Sequence, residues 1–410
     1  MRCSRWLLGG VLALLLGAEP ARAQSAPEAH APGDDDGVTV SLITFGRGDE
    51  VHQYFGHNAL VVARPGERTP TVFNYGMFSF GPGMLPKFLK GRLEFWVGTS
   101  PLRETALLYR AMNRDVRLRE LALEPAAVSG VVEKLEHDVL PENRVYLYDH
   151  YRDNCSTRVR DILDHALGGQ LKRAWSTPGR FTLREQTRRY TQHDPVMEWL
   201  MMFGLNDTVD RPLRRWDEAF LPDELEHLVD GASYLNGAGA RVKLVKRAYN
   251  LSLAQRAPVA DAPVVRWPEN LAISAAIGAL AIVLGLRSRK RGETSRAFLW
   301  LATLLGMMLG VLGTLLTLMA SFSDHVVTYH NENLFLANPI TLFAGVLGLI
   351  ALRRRLSARW LVWPWACMAA TTLVLLVGKL VVPALDQDVS LTATLIAPIN
   401  LALAVASCLA

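Results

Sequence analysis

Cys155 and His57 are the two side chains whose types and settings best suit them to do chemistry together. Cys155 is the one cysteine between Cys3, near the start of the chain, and Cys367, inside a long apolar run. A lone thiol in an exported segment has no disulfide partner in its own chain, and a thiol paired with a histidine on a separate element is a candidate nucleophile and base. Cys155 sits in Tyr148-Asp149-His150-Tyr151-Arg152-Asp153-Asn154-Cys155-Ser156-Thr157-Arg158, and His57 in Phe55-Gly56-His57-Asn58-Ala59-Leu60-Val61-Val62. The bland alternatives are a buried structural cysteine and a packed or surface histidine. A third group should orient the imidazole. Asn74 is the first candidate and Asp49 the second.

The elements that must hold these groups are legible locally. Asp153 or Asn154 is a good helix N-cap, Val159, Ile162, Leu163, Ala166 and Leu167 recur at helical spacing, and Gly168-Gly169 ends the run. Cys155 then falls in the first turn, where the unpaired N–H groups and the helix dipole favour an anion, and its own N–H is a candidate oxyanion donor. Arg158 and Arg160 oppose the dipole there, a local conflict that makes sense beside a thiolate. Val38–Phe45, His57–Ala63, Thr71–Tyr75 and Leu93–Val97 read as strands, with His57, Ala59, Val61 and Ala63 on one face. Pro125–Leu140 reads as an amphipathic helix. The result is an α+β domain, strands early and helices later, over residues 38–230. Arg180, Arg184, Arg188 and Arg189 read as surface residues, and 231–268 as a connector.

The chain has 410 residues, half of them hydrophobic, and a net charge of +5. The apolar residues are concentrated at the two ends. Residues 1–23 have the basic start, apolar stretch and Ala21-Arg22-Ala23 site of a secretory signal, and 24–37 a disordered lead-in. After residue 268 come Leu271–Leu286, Ala297–Phe322, Leu334–Leu352, Trp360–Leu385 and Val389–Ala410, several of them near the roughly 20 residues that cross a bilayer. The connecting loops alternate. Arg287, Arg289, Lys290, Arg291 and Arg296 lie in the first, and Arg353, Arg354, Arg355 and Arg359 in the third, while the second and fourth carry Asp324, Glu332, Asp386 and Asp388 without Lys or Arg. Basic loops stay cytoplasmic, so residues 38–268 face outward and residues 269–410 form a bundle of five membrane helices. This topology accounts for the basic clusters, and no nucleic-acid partner is expected. The outer loop 321–338 holds His325, His330, Asn331, Glu332 and Asn333. It reads either as a solvated connector or as a wall of a site at the membrane surface. The spacing of His325, His330 and Glu332 matches no standard zinc pattern, so no metal is expected.

These motifs together resemble the Lnb family: Phe55-Gly56-His57, Phe73-Asn74-Tyr75-Gly76, Tyr148, Tyr151 and Asp153-Asn154-Cys155 with Arg158, Arg160 and Asp161, then His325, Asn331, Asn333-Leu334 and Asn338-Pro339. The histidine-before-cysteine order is also similar to circularly permuted papain-like (NlpC-like) hydrolases and acyltransferases, lecithin–retinol acyltransferase among them. The family resemblance implies a membrane-bound lipoprotein N-acyltransferase of the bacterial inner membrane, with its catalytic domain in the periplasm. It implies Cys155 as nucleophile and His57 as base, phospholipid as acyl donor, a lipoprotein as acceptor, and no cofactor, since the ester supplies the energy. Tyr75, Asn154, Arg158, His325, Asn331 and Asn333 lie within the matching motifs and read as substrate-binding or accessory positions. Two other readings stay open: a membrane-tethered peptidoglycan peptidase or amidase using the same pair, and a non-catalytic membrane scaffold.

Overall fold

The computed structural model describes residues 37–79, 83–354 and 356–410. The expected signal segment 1–23 and all but the last residue of the lead-in 24–37 lie outside the described residues. Seven strands form one antiparallel sheet. Six of them are β1 (Thr39–Phe45), β2 (His57–Ala63), β3 (Thr71–Met77), β4 (Glu94–Pro101), β5 (Val116–Leu121) and β6 (Val145–Leu147). The order across the sheet is Val245–Ser252, β5, β1, β2, β3, β4, β6. The β-branched and aliphatic residues of β1 and β2 are buried on both faces, as expected of central strands covered on both sides.

One face, with Val40, Leu42, Leu60, Val62, Phe73 and Tyr75, packs against helices Pro125–Asp138, Cys155–Ala166 and Pro222–Asp230. The other, with Ile43, Phe45, Ala59, Val61, Val72 and Leu118, is covered by helix Leu102–Ala111. The stretch read as a connector, 231–268, departs from that expectation. Its Val245–Ser252 pairs with β5 and forms an edge of the main sheet. Tyr249 and Leu251 alternate toward the core, but Lys246, Arg247 and Asn250 interrupt the apolar run and mask the strand in the sequence.

Helices Trp267–Arg291, Arg296–Phe322, Arg359–Val381 and Ser390–Leu409 are each long and apolar enough to cross a membrane. Val326–Phe335 and Pro339–Arg354, which meet at 54°, are long and apolar enough for a fifth crossing when taken together as one bent span. Pro339 cannot donate the backbone bond that would continue the helix. The carbonyls freed by the break are satisfied from other helices: Thr371 Oγ1 donates to Phe335 O at 2.8 Å, and Asn400 Nδ2 donates to Leu336 O at 2.8 Å. Such re-satisfaction is what permits irregular backbone at membrane depth. The second span lies against the third through small residues, with Gly306 backed by Gly345 and Gly310 by Leu342.

The soluble domain is anchored in the bundle. Helix Pro195–Gly204, rich in Met, Trp and Phe, places Phe203 among Leu309, Leu316, Leu336, Leu375 and Ile396 of the membrane helices. Of the arginines read as surface coating, Arg180 is exposed as expected, whereas Arg184 and Arg189 are buried and Arg188 is half-buried. Arg184, 2% exposed, pairs with Asp210, and Arg188 pairs with the buried Glu198 at 3.0 Å. A buried guanidinium is tolerable only when its donors are matched, and Arg184 also donates to Leu205 O and Asn206 O.

Candidate functional site: a cysteine–histidine centre

Asn154 has extended backbone and its side chain accepts the N–H groups of Ser156 and Thr157, while Thr157 Oγ1 accepts from the Asn154 N–H. This reciprocal cap starts the helix at Cys155 and fixes the orientation of its first turn. Asn154 Nδ2 donates to His150 O and Phe220 O, so the residue serves the loop and the cap. The two N–H groups it takes leave that of Cys155 without an acceptor among the described residues, at the end of the helix where the dipole is positive.

His57 opens β2 after Gly56, whose φ of 80° belongs to the left-handed region and whose Cβ would stand 2.9 Å from Phe45 O. Glycine is therefore what lets the chain turn into the strand at this point. The imidazole stacks on Phe45 at 6.0 Å, and Phe45 stacks on Tyr109 at 3.7 Å. On the neighbouring strand, Asn74 Oδ1 accepts from His57 Nε2 at 2.6 Å. The bond assigns the proton to Nε2 and leaves Nδ1 as the ring's acceptor, and the ring meets Cys155 across the gap at Gly76, where a Cβ would stand 3.6 Å from His57 Cε1 and 3.7 Å from Cys155 Cβ. The β3–β4 register slips between Asn74 and Met77, a bulge at Tyr75-Gly76. Bulges re-aim side chains next to functional sites. Here the bulge puts bare Gly76, at φ 94°, in the gap between ring and thiol.

Asn58 braces the pair from below. Its Nδ2 donates to Thr44 Oγ1 at 2.9 Å and its Oδ1 lies 2.9 Å from Ser156 Oγ. The backbone N–H groups of Asn58 and Ser156 help to lower the Cys155 thiol, although the Ser156 N–H itself donates to Asn154 Oδ1 at 2.9 Å. Burial, to 9% exposure, pushes the Cys155 thiol up. The His57 charge, its hydrogen bond and the two backbone N–H groups outweigh burial and bring the thiol below its ordinary value. For His57 the order is the same with signs reversed: burial lowers it, while the Cys155 charge and the bonds to Cys155 and Asn74 raise it. Both shifts favour a thiolate–imidazolium pair.

The arginines of this helix do not supply the positive field. Arg158 is forked onto Asp153 at 2.6 and 2.8 Å and lies over the Tyr146 ring, and Arg160 donates to Trp216 O. Arg158 and Asp153 wall a groove of about 910 Å³ between helices Pro125–Asp138 and Cys155–Ala166. The buried Arg114, stacked on Tyr109 and bonded to Gly46 O, is the cation that His57 senses. Sequence reasoning passed over Arg114, Asn58 and Tyr146. Asn58 was within reach, because a polar residue in a run of strand aliphatics asks for a buried partner.

The other expected residues lie elsewhere. Tyr75, buried, donates to Asp138 at 2.9 Å. Asp49 is exposed and paired with Arg256. His325 Nε2 meets Phe88 O at 2.5 Å, and Asp324 pairs with Arg92 at 2.6 Å. Asn331 donates to Gly204 O at 2.9 Å, and Asn333 to Phe203 O at 2.9 Å. The polar outer loop thus holds two parts of the soluble domain: the segment that leaves β3 at the thiol centre, and the C-terminus of helix Pro195–Gly204. Glu332 pairs with Lys379 at 2.5 Å, and among the described residues no group of three or more His, Cys, Asp or Glu is placed to hold a metal.

A family model described as the Lnb N-terminal periplasmic domain matches residues 29–189, and one described as the Lnb transmembrane domain matches residues 270–409. No curated protein and no solved structure matches the chain. The first match spans β1 to β6 and the Cys155 helix, the second spans the membrane helices, and their order is that of this chain. A multi-pass membrane protein with a periplasmic domain built on this sheet, the protein belongs to the Lnb family.

Proposed function

We propose that the protein is a lipoprotein N-acyltransferase of the bacterial inner membrane, using Cys155 as nucleophile, His57 as proton carrier and Asn74 as the group that orients His57. The observation that carries this reading is the thiol–imidazole–carboxamide arrangement: Cys155 and His57 meet at one gap beside Gly76, and His57 Nε2 lies on Asn74 Oδ1 at 2.6 Å. The periplasmic domain has the sheet and helix-borne thiol that a permuted papain-like fold requires. The segment leaving β3 beside Cys155 docks on the outer membrane loop through Phe88, Gly91 and Arg92. A thiol tethered at that level suits substrates that are both lipids.

The reaction runs in two halves. The Cys155 thiolate adds to the carbonyl carbon of a phospholipid ester, forming a C–S bond. The ester C–O bond breaks, and the imidazolium of His57 gives its proton to the departing alkoxide, which leaves as lysophospholipid. The α-amine of a diacylglyceryl-cysteine lipoprotein then attacks the thioester carbonyl. A C–N bond forms, the C–S bond breaks, and neutral His57 takes the amine proton, which restores the ion pair. Asn74 keeps Nε2 protonated and Nδ1 facing the sulfur throughout.

Mass spectrometry of lipoprotein N-termini tests the reading in cells that depend on this protein for N-acylation. Wild type should add one acyl chain to the N-terminal cysteine, and Cys155→Ala and His57→Ala should leave the amine free. Fully acylated N-termini with Cys155→Ala, or unchanged N-termini accompanied by altered muropeptides, would reject it.

A further inference from the structure

The mechanism above leaves one buried group at the centre unused. Tyr146 lies in β6 and pairs through its backbone with Phe95 of β4. Its hydroxyl is buried without a hydrogen-bond partner among the described residues, although the Gly76 N–H approaches its oxygen. The other tyrosines around the site have partners: Tyr75 donates to Asp138, Tyr148 lies 3.4 Å from His150 Nδ1, and Tyr151 lies 2.9 Å from Thr187 Oγ1. A buried hydroxyl left unpaired is unfavourable, and native structures keep few of them without a use.

Its position supplies the use. The point where a Gly76 Cβ would stand is 3.6 Å from His57 Cε1, 3.7 Å from Cys155 Cβ and 3.9 Å from the Tyr146 hydroxyl. Three groups, from two strands and a helix, therefore face one small gap at Gly76 of a third strand. The Tyr146 ring is held there by Arg158, whose guanidinium carbon is 3.6 Å from the ring centre and whose own donors are fixed on Asp153. The Cys155 N–H, in the first turn of the helix, is also without an acceptor among the described residues.

We propose that Tyr146 is a further catalytic residue, its O–H forming with the Cys155 N–H the oxyanion hole for acyl transfer. The proposal rests on the acyltransferase reading above and extends it. When the thiolate adds to the ester carbonyl, the π pair moves onto oxygen, and that oxyanion accepts hydrogen bonds from both donors. Tyrosine gives up no proton. Collapse returns the electron pair to the carbonyl as the C–O bond breaks and His57 protonates the alkoxide. The same two donors serve the second addition, by the amine. Burial pushes the Tyr146 hydroxyl far above its ordinary range, so it stays a donor at every working pH.

Tyr146→Phe in the full-length, detergent-solubilised protein tests this with three probes. A p-nitrophenyl ester reports acylation of Cys155 from any activated donor, labelled phospholipid reports the physiological donor, and iodoacetamide reports the thiolate by a displacement that builds no oxyanion. The expected result is acylation by the nitrophenyl ester slowed by about 10²-fold, with iodoacetamide alkylation unchanged. Equal acylation in Tyr146→Phe and wild type would overturn the proposal. So would a parallel loss of alkylation, which would make Tyr146 a support for the thiolate. If the nitrophenyl ester shows the defect while phospholipid fails to acylate even wild type, the oxyanion assignment stands and the donor assignment falls.

Discussion

At Cys155 a buried sulfur would ordinarily resist ionisation, and what overturns that resistance is a set of contacts rather than a nearby cluster of cations. The charge of His57 does most to lower the thiol and the backbone N–H groups of Asn58 and Ser156 add to it, while Arg158 and Arg160 turn to Asp153 and Trp216. Because the thiol is lowered and the imidazole raised, the ion pair exists between two apparent values that belong to the pair. Below the lower value the sulfur is protonated, and above the upper value His57 loses its charge. Acylation rate against pH should therefore be bell-shaped, and alkylation should already be fast below the ordinary thiol range near ~8.5. Asn74→Ala removes one of the bonds that raise His57, so the alkaline limb should move to lower pH, with acylation down by roughly 10–100-fold. An alkaline limb that stays in place would show that Asn74 does not govern the imidazole. The residues of this centre were partly legible in the sequence. A lone cysteine behind an N-cap and a histidine opening a strand are local signals. Asn58 left a weaker local signal, a polar residue in a run of strand aliphatics, whereas Tyr146 and Arg114 matter through contacts between distant segments, which no local pattern encodes.

The helix Cys155–Ala166 and the sheet were readable because each carries one clear period: 3.6 with a cap and a glycine stop, or a run of β-branched residues. The element with the least legible role was Pro195–Gly204. Its PVMEWLMMFG is apolar enough to be buried, but its burial partner is the membrane bundle, far away in sequence. The polar outer loop has its explanation here as well. Asn331 and Asn333 cap carbonyls at the end of that helix, and Gln387 donates to Leu205 O at 2.9 Å, so the loop works as a latch between domain and bundle. Asn333 is fully buried and also accepts from Thr392 Oγ1 at 2.6 Å. Asn333→Ala removes both bonds, leaving Phe203 O on Asn331 at 3.3 Å and Thr392 Oγ1 on Val389 O at 3.0 Å, and each lost bond costs about 1 kcal/mol. The melting temperature in detergent should fall, while the alkylation rate of Cys155 in the folded protein stays as in wild type. Lost acylation at an unchanged melting temperature would instead place Asn333 in the reaction.

At the scale of the whole molecule, two features set the geometry of the reaction. The alternation of basic and acidic loops puts the sheet on the outer side, and this was legible because charge at loop ends is the direct physical cause of orientation. The attachment of the sheet to the bundle was not, since it depends on Asn206 and Gln387 meeting residues from distant segments. Asn206 Nδ2 bonds Val326 O and Tyr329 O of the outer loop at 2.9 and 2.8 Å. Together with Arg92 on Asp324, these bonds fix the thiol centre relative to the membrane surface instead of leaving it on a flexible tether. A nucleophile held in that way can draw its acyl group from lipid without a soluble carrier. The direct test is the intact mass of purified protein after incubation with phospholipid in the absence of an amine acceptor. The account predicts a gain of one acyl chain on Cys155, released by neutral hydroxylamine and absent from Cys155→Ala. A wild-type protein that gains no acyl mass, or a Cys155→Ala protein that still gains it, would contradict the account.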